Sequence, residues 1–163
     1  MMFAILLFVF VAMIGRSSAY LRGDEKYNVT SGISRDDIIW RAQNWVDRGI
    51  PYSQTAYTDG YRQDCSGYVS MAWASSTAGG GHTTYNMQDI CTKVSKWDLR
   101  RGDAILAPPS HVLLFDYWLD GNYDQFMQYA EIDYGQLATH KQSSYQWFEN
   151  NGYFPCRYNN VQG

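Results

Sequence analysis

The sequence predicts an α+β fold in which helices precede an antiparallel sheet. Two helical patterns lie in the first half of the chain, and strand-like runs follow from about residue 97 onward. Short turn sequences separate these runs, as in a meander of antiparallel strands. We therefore expect N-terminal helices packed on a sheet of about five to six strands.

The first nineteen residues are typical of a secretory signal peptide. An apolar stretch from Phe3 to Gly15 is followed by small residues that end at Ala19. The stretch is shorter than the roughly 20 residues that cross a bilayer. We expect cleavage after Ala19, secretion, and a single domain over residues 20–163, with an uncleaved signal anchor as the alternative.

The amino-acid composition argues against two classes of binding partner. The chain has 13 basic and 16 acidic residues, a formal net charge of −3, and no run of basic residues. This balance argues against nucleic acid and against an anionic membrane surface as partners, and we expect no membrane association after cleavage. Its many aromatic residues indicate a folded chain, which we expect to be a monomer.

The first helix is predicted over residues 34–49. Ser34 can cap its N-terminus, Asp37 occupies the capping-box position and Gly49 can end it. The spacing of the apolar residues indicates one buried face. That face comprises Ile38, Ala42, Trp45 and Val46.

The next part of the chain predicts a loop, a second helix and a flexible connection. Residues 51–62 are rich in tyrosine and threonine and are expected to form the loop. A helix is expected from about Cys65 to Ser75, with its apolar stripe on one side. The glycine-rich residues 76–84 predict the flexible connection, and residues 87–94 a short helix.

The second half of the chain is predicted to consist mainly of strands. The runs "DAILA", "HVLLFDYW" and "QFMQYAEIDY" are strand-like, and "LDGNYD" is a hairpin-type turn. The segment "LATHKQSSY" is expected to be a further strand or a loop. The segment "YQWFENNGYFPCRYNNV" predicts a short aromatic helix or turn and a closing strand.

Three cysteines allow three disulfide pairings. In an oxidising compartment two of them often pair, which leaves the third as a free thiol. We expect a bond between Cys91 and Cys156, with Cys65 free.

Cys65 is placed as a nucleophile would be. It begins the second predicted helix, where Asp64 can cap and Gly67 permits close approach of another backbone segment. A helix N-terminus and a neighbouring imidazolium both lower a thiol pKa, which promotes formation of the reactive thiolate. The first backbone N–H groups, those of Cys65 and Ser66, would suit an oxyanion hole.

A histidine base and a group to orient it follow downstream. His111 begins a strong strand, whereas His82 lies in the glycine-rich segment and His140 among polar residues. Strand alternation puts Tyr129, Glu131 and Asp133 on one face of the next strand. We prefer Glu131 as the residue that orients the imidazole, because a carboxylate can accept its N–H.

These motifs resemble the NlpC family of papain-like cell-wall peptidases. The matching pieces are "DCSGYVSMAW", "LRRGDAIL" and "HVLLF", in that order, and the ending "GYFPCRYNNV" is similar to the tail of secreted members. The resemblance covers residues 33–161. It implies a papain-like fold, Cys65 as nucleophile, His111 as base and Tyr52 as an active-site tyrosine. The third catalytic position would fall on Tyr129 in one alignment and on Glu131 after a shift of two residues.

The resemblance further implies a secreted cysteine peptidase or amidase that cleaves amide bonds in the stem peptides of bacterial peptidoglycan. Acyl transfer at the same site is one alternative, and a non-catalytic binding module on a peptidase-like scaffold is another. Spacings typical of zinc, calcium or phosphate sites do not occur in the sequence. We therefore expect neither a metal nor a cofactor.

Overall fold

The computed structural model describes residues 32–163, so the predicted signal peptide at residues 1–19 lies outside the described residues. The helices are α1 (Arg35–Arg48), α2 (Cys65–Ala72) and α3 (Tyr145–Asn150). The strands are β1 (Ser53–Thr58), β2 (Tyr61–Gln63), β3 (Cys91–Lys93), β4 (Ala104–Ala107), β5 (His111–Trp118), β6 (Gln125–Ala130), β7 (Thr139–Ser144) and β8 (Phe154–Tyr158). This arrangement confirms the α+β class. Within the described residues, no helix is long and apolar enough to cross a membrane.

The main sheet has six antiparallel strands in the order β3-β8-β4-β5-β6-β7. Alternate residues of its central strands enter two different cores. On one face Val112 and Leu114 pack with residues of α1 and α2. On the other face Leu113 and Phe115 pack with residues of α3. The sheet is therefore covered on both sides.

Helix α1 forms as the sequence predicts. The Ser34 hydroxyl accepts the Asp37 N–H at 3.1 Å and donates to the Asp37 carboxylate at 2.6 Å. At the other end Gly49 adopts a left-handed conformation (φ 62°) that closes the helix. The buried face includes Ile38, Ala42 and Trp45, and it packs against α2.

Helix α2 is completely buried but shorter than expected. Asp64 caps it by accepting the Gly67 N–H at 2.7 Å, as the sequence predicts. The predicted end at Ser75 is wrong, because Ala74 takes a positive φ of 50° and turns the chain away after Trp73. A Cβ on Gly67 would lie 2.1 Å from the Arg62 carbonyl oxygen, so the predicted close backbone approach is confirmed.

Two other predictions of local structure are wrong. The expected loop at residues 51–62 is the hairpin β1–β2, because Asp59 and Gly60 both take positive φ and make a tight turn. The short helix expected at residues 87–94 is a single 3₁₀ turn, Met87–Ile90, followed by β3. Pairing with β8 stabilises that three-residue strand.

The predicted disulfide is confirmed. Cys91 in β3 is bonded to Cys156 in β8, with their Cα atoms 5.6 Å apart, and Cys65 is the free cysteine among the described residues. The bond therefore ties the edge strand β3 to its neighbour in the sheet.

Candidate active site

Cys65 lies at the first turn of α2, against the start of β5. Its side chain is buried, with 7% of the residue exposed. The backbone N–H groups of Val112, Ser66 and Cys65 itself interact with the thiol. Val112 directly follows His111 in β5, so the sulfur lies beside the strand that begins with the predicted base.

His111 is the first residue of β5 and is partly buried. Its imidazole contacts the ring of Tyr153, with the centroids 6.4 Å apart and the planes at 73°. No hydrogen bond joins the imidazole to the Cys65 thiol or to Glu131 within residues 32–163. The two predicted catalytic groups are thus brought to the same end of the sheet, but their side chains do not bond to each other.

Burial determines the charge state of both groups. It raises the pKa of the Cys65 thiol to about 11, and the charge of Asp64 adds to the rise, although the three N–H groups lower the pKa. Burial lowers the pKa of His111 to about 4, and Lys141 contributes in the same direction. The N–H groups at the helix start thus act in the expected direction, but burial outweighs them. At neutral pH the pair is a thiol and a neutral imidazole.

Asp64 and Ser66 shape the turn that carries Cys65. The Ser66 hydroxyl donates to Asp64 at 2.9 Å, so it is directed into the turn. Arg62 pairs with Asp64 at 2.8 Å, and both side chains are mostly buried. Arg62 was not among the predicted site residues, because local sequence carries no sign of the groups that a guanidinium reaches through the fold.

Glu131 lies just beyond the end of β6 and is fully buried. In the register of β5 and β6, Leu114 is opposite Tyr129. Continuing that register by two residues brings Glu131 opposite Val112. Burial raises the pKa of Glu131 to about 8, and the nearby charge of Asp64 adds to the rise. Neither carboxyl oxygen has a hydrogen-bond partner among the described residues.

Asp133 does not continue the alternation expected after Tyr129 and Glu131. The strand ends at Ala130, and Asp133 is exposed in the following turn. The expectation that all three residues share one face is wrong for Asp133, because strand geometry does not extend that far.

Tyr129 is engaged in a different cluster. Its hydroxyl donates to Gln43 at 2.8 Å, and its ring stacks on His140 with the centroids 4.0 Å apart. His140 Nε2 lies 2.9 Å from the buried carboxylate of Asp116. The structure therefore places Tyr129 with α1 and β7, whereas Glu131 lies near the start of α2.

Two tyrosines, Tyr52 and Tyr153, lie close enough to Cys65 for its charge to affect their pKa values. Tyr52 packs edge to face on Tyr134 at 5.1 Å, and its N–H donates to the Gln136 carbonyl at 2.9 Å. Burial raises the pKa of Tyr52, and the charges of Cys65 and Asp64 contribute to the rise. Tyr153 is a second residue that was not predicted at the site, since its place beside His111 depends on the turn between α3 and β8. Burial raises the pKa of Tyr153, and the charge of Cys65 raises it further.

The segment at residues 76–84 is held in place rather than free, contrary to the flexible connection that we expected. The N–H of His82 donates to the Ser70 hydroxyl at 3.0 Å, and its Nδ1 lies 3.4 Å from the Ser75 hydroxyl. His82 therefore packs along α2. Among the described residues there is no cluster of three or more side chains suited to hold a metal ion.

Comparisons with known proteins give no assignment. No family model matches the chain, and no curated protein matches it. A functional hypothesis therefore rests on the motifs and on the geometry of this site.

Proposed function

We propose that the protein is a secreted cysteine hydrolase of the NlpC type, with a papain-like fold. The observation that carries the proposal is the position of Cys65, whose thiol lies at the start of a buried helix and beside the strand that begins with His111. A thiol in an apolar core alone would not require this helix start or the adjacent imidazole. Cys65, His111 and Glu131 also have strongly shifted pKa values, and such groups concentrate at functional sites.

The proposed reaction begins with a neutral pair. Neutral His111 removes the proton from the Cys65 thiol as the sulfur attacks an amide carbonyl carbon. The carbonyl oxygen gains the electron pair of its π bond and becomes an oxyanion. The N–H groups of Cys65 and Ser66 at the helix start are suited to stabilise it. His111 then gives its proton to the leaving amine, and an acyl-enzyme remains on the sulfur.

Water completes the cycle. His111 removes a proton from a water molecule that attacks the thioester, and it returns that proton to the sulfur when the C–S bond breaks. The products are a carboxylic acid and the regenerated thiol. Transfer of the first proton requires the imidazole to approach the sulfur to about 3 Å, and hydrogen bonds of this kind often tighten only when substrate is bound.

Glu131 is our choice for the third catalytic residue. It is buried close to the helix start, and it has a carboxyl group without a partner, whereas Tyr129 is bonded to Gln43 and stacked on His140. A carboxyl oxygen can accept the second N–H of an imidazole and so hold it in one tautomer. We assign Tyr52 to substrate contact, because it is close enough to Cys65 for the charge of Cys65 to contribute to its raised pKa.

The proposed substrate is the stem peptide of bacterial peptidoglycan, cleaved next to D-glutamate. The resemblance of "DCSGYVSMAW" and "HVLLF" to the NlpC pattern supports this choice. The test is digestion of purified peptidoglycan, with mass spectrometry of the released fragments. Wild-type protein should release peptides with a new carboxyl terminus, and Cys65→Ala should release none while keeping the same thermal unfolding temperature.

The outcomes separate the alternatives. Release of fragments by Cys65→Ala at the wild-type rate would overturn the proposal. Amine adducts in place of free acids, when an amine nucleophile is added, would indicate acyl transfer. Binding to peptidoglycan without any fragment would indicate a non-catalytic module.

A further inference from the structure

Arg62 joins the start of α2 to the glycine-rich segment that follows the helix. Its Nε donates to Asp64 Oδ2 at 2.8 Å, and one terminal nitrogen donates to the Ser66 hydroxyl at 3.3 Å. The terminal nitrogens also reach three backbone carbonyl oxygens. These belong to Gly79 at 2.6 Å, Gly81 at 3.1 Å and His82 at 2.8 Å. One guanidinium thus bonds both to the turn that carries Cys65 and to a segment 17 to 20 residues downstream of Arg62.

The glycine-rich segment packs closely against Tyr57 and Ser70. A Cβ on Gly80 would lie 2.5 Å from the ring of Tyr57, and one on Gly81 would lie 2.6 Å from the Ser70 Cβ. Both glycines also take positive φ, which side chains other than hydrogen disfavour. Close contact and backbone conformation together explain why this part of the chain is ordered.

The far end of the segment is tied to the turn before His111. The Thr84 hydroxyl donates to the Pro109 carbonyl at 2.6 Å, and Thr84 is buried. Pro109 precedes His111 by two residues, and the Ser110 N–H closes the same turn on Ala107 at 2.7 Å. A continuous path therefore leads from the turn of Cys65 through residues 79–84 to the start of β5.

We propose that residues 79–84 form a brace that sets the position of Cys65 relative to His111, with Arg62 and Thr84 as the positioning residues at its two ends. The inference rests on the proposed function. The two catalytic groups lie on different elements and do not bond to each other, so the surrounding structure determines their separation. A displacement of about 1 Å between reacting groups can cost on the order of a hundredfold in rate.

Arg62 has a second effect, which is electrostatic. Asp64 is a mostly buried carboxylate close to Cys65 and Glu131, and the Arg62 guanidinium offsets its charge. Arg62→Met leaves that charge unpaired, whereas Arg62→Lys keeps a cation but loses the planar fork that reaches several acceptors. The two variants therefore separate the charge of Arg62 from its role in the brace.

The experiment compares Thr84→Val and Arg62→Lys with the matched control Thr83→Val. The Thr83 hydroxyl bonds to Asn86 in its own turn, at 3.2 Å, and does not reach the turn before His111. We expect kcat to fall about tenfold in Thr84→Val and in Arg62→Lys with KM within twofold, since each loses hydrogen bonds that position the reacting groups. Thr83→Val should keep the wild-type kcat. The double variant Arg62→Lys/Thr84→Val should be no more than about twofold slower than the slower single variant, because both changes loosen one brace.

Two readouts do not depend on turnover. Hydrogen exchange in a peptide covering residues 107–113 should be faster in Arg62→Lys and Thr84→Val than in Thr83→Val, although Arg62 is far from that peptide in the chain. The pH midpoint for alkylation of Cys65 should rise in Arg62→Met and stay unchanged in Thr84→Val. These readouts apply even if the wild type hydrolyses no peptidoglycan, a result that would refute the proposed function alone.

The brace would be refuted by unchanged exchange at residues 107–113 in both brace variants. Equal loss of kcat in Thr83→Val and Thr84→Val would also refute it. So would a loss of kcat in the double variant equal to the product of the losses in the two single variants. If Arg62→Lys does not fold, as its thermal unfolding would show, Thr84→Val alone decides the outcome through exchange and kcat.

Discussion

Substitution of Glu131 by glutamine should make the protein more stable at neutral and alkaline pH. The carboxyl group is fully buried without a partner, and its pKa is raised from 4.5 to about 8. In the unfolded chain the group ionises near pH 4.5, whereas in the folded protein it stays protonated until about pH 8. The folded state therefore binds the extra proton in this interval, and stability falls as pH rises through it.

The size of the effect follows from the two pKa values. A difference of about 3.5 pKa units, at about 1.36 kcal/mol per unit, corresponds to an upper figure of about 5 kcal/mol. Glutamine has nearly the same shape and does not titrate, so Glu131→Gln should lack this loss. We expect similar stability of the two proteins near pH 4.5 and a growing advantage for the variant up to about pH 8.

Urea unfolding at several pH values, with the disulfide intact, measures this difference. His111 acts in the opposite direction between about pH 4 and 6.5, because its folded pKa is lowered. The readout is therefore the free energy of unfolding of Glu131→Gln minus that of the wild type, in which the contribution of His111 cancels. A difference that stays flat from pH 4.5 to pH 8 would refute the reasoning and would show that Glu131 is ionised in the folded protein.

Four further predictions follow from the same site. At pH 7 a thiol with a pKa of about 11 has roughly 300-fold less thiolate than free cysteine with a pKa of about 8.5. Iodoacetamide, followed by mass spectrometry, should therefore modify Cys65 slowly at pH 7 and faster up to about pH 11; a plateau reached by pH 7 would contradict the raised pKa. The acid limb of kcat/KM, which reports the free enzyme, should lie near pH 4, since His111 must be neutral, and a limb near the ordinary 6.5 would argue against His111 as a buried base. Tyr153→Ala should lower kcat at least tenfold while Tyr153→Phe stays within threefold, because the ring makes the contact with His111; equal losses in both variants would assign the role to the hydroxyl. Asp64→Ala should lower the free energy of unfolding by about 1–2 kcal/mol through loss of the helix cap, and an unchanged urea midpoint would show that the cap contributes little.

The start of α2 could be predicted because its signals are local. A capping aspartate, a cysteine and a glycine at fixed spacing act within one turn of the chain, and the structure has that turn. The central strands were also predictable, since their apolar runs are long. The hairpin β1–β2 was missed although Asp59-Gly60 is a turn sequence, because the residues of β1 are exposed or half-buried and give no apolar alternation.

Features that depend on distant contacts could not be predicted. Strand β3 has three residues and forms by pairing with β8. The pKa of Cys65 depends on how much solvent the surrounding elements exclude, and that burial outweighs the helix N-terminus, which was visible in the sequence. The contacts of Arg62 and Tyr153 likewise require the folded arrangement of loops.

Burial of Cys65 also affects whether its thiol can react with the disulfide formed by the other two cysteines. A thiolate attacks disulfides and is the form that oxidants convert to sulfenic acid, whereas a thiol does neither readily. Cys65 is enclosed and protonated, so the folded chain protects it from exchange with the Cys91–Cys156 bond and from oxidation. Under the proposed function, the packing that keeps the sulfur protonated would also keep it intact until a substrate binds.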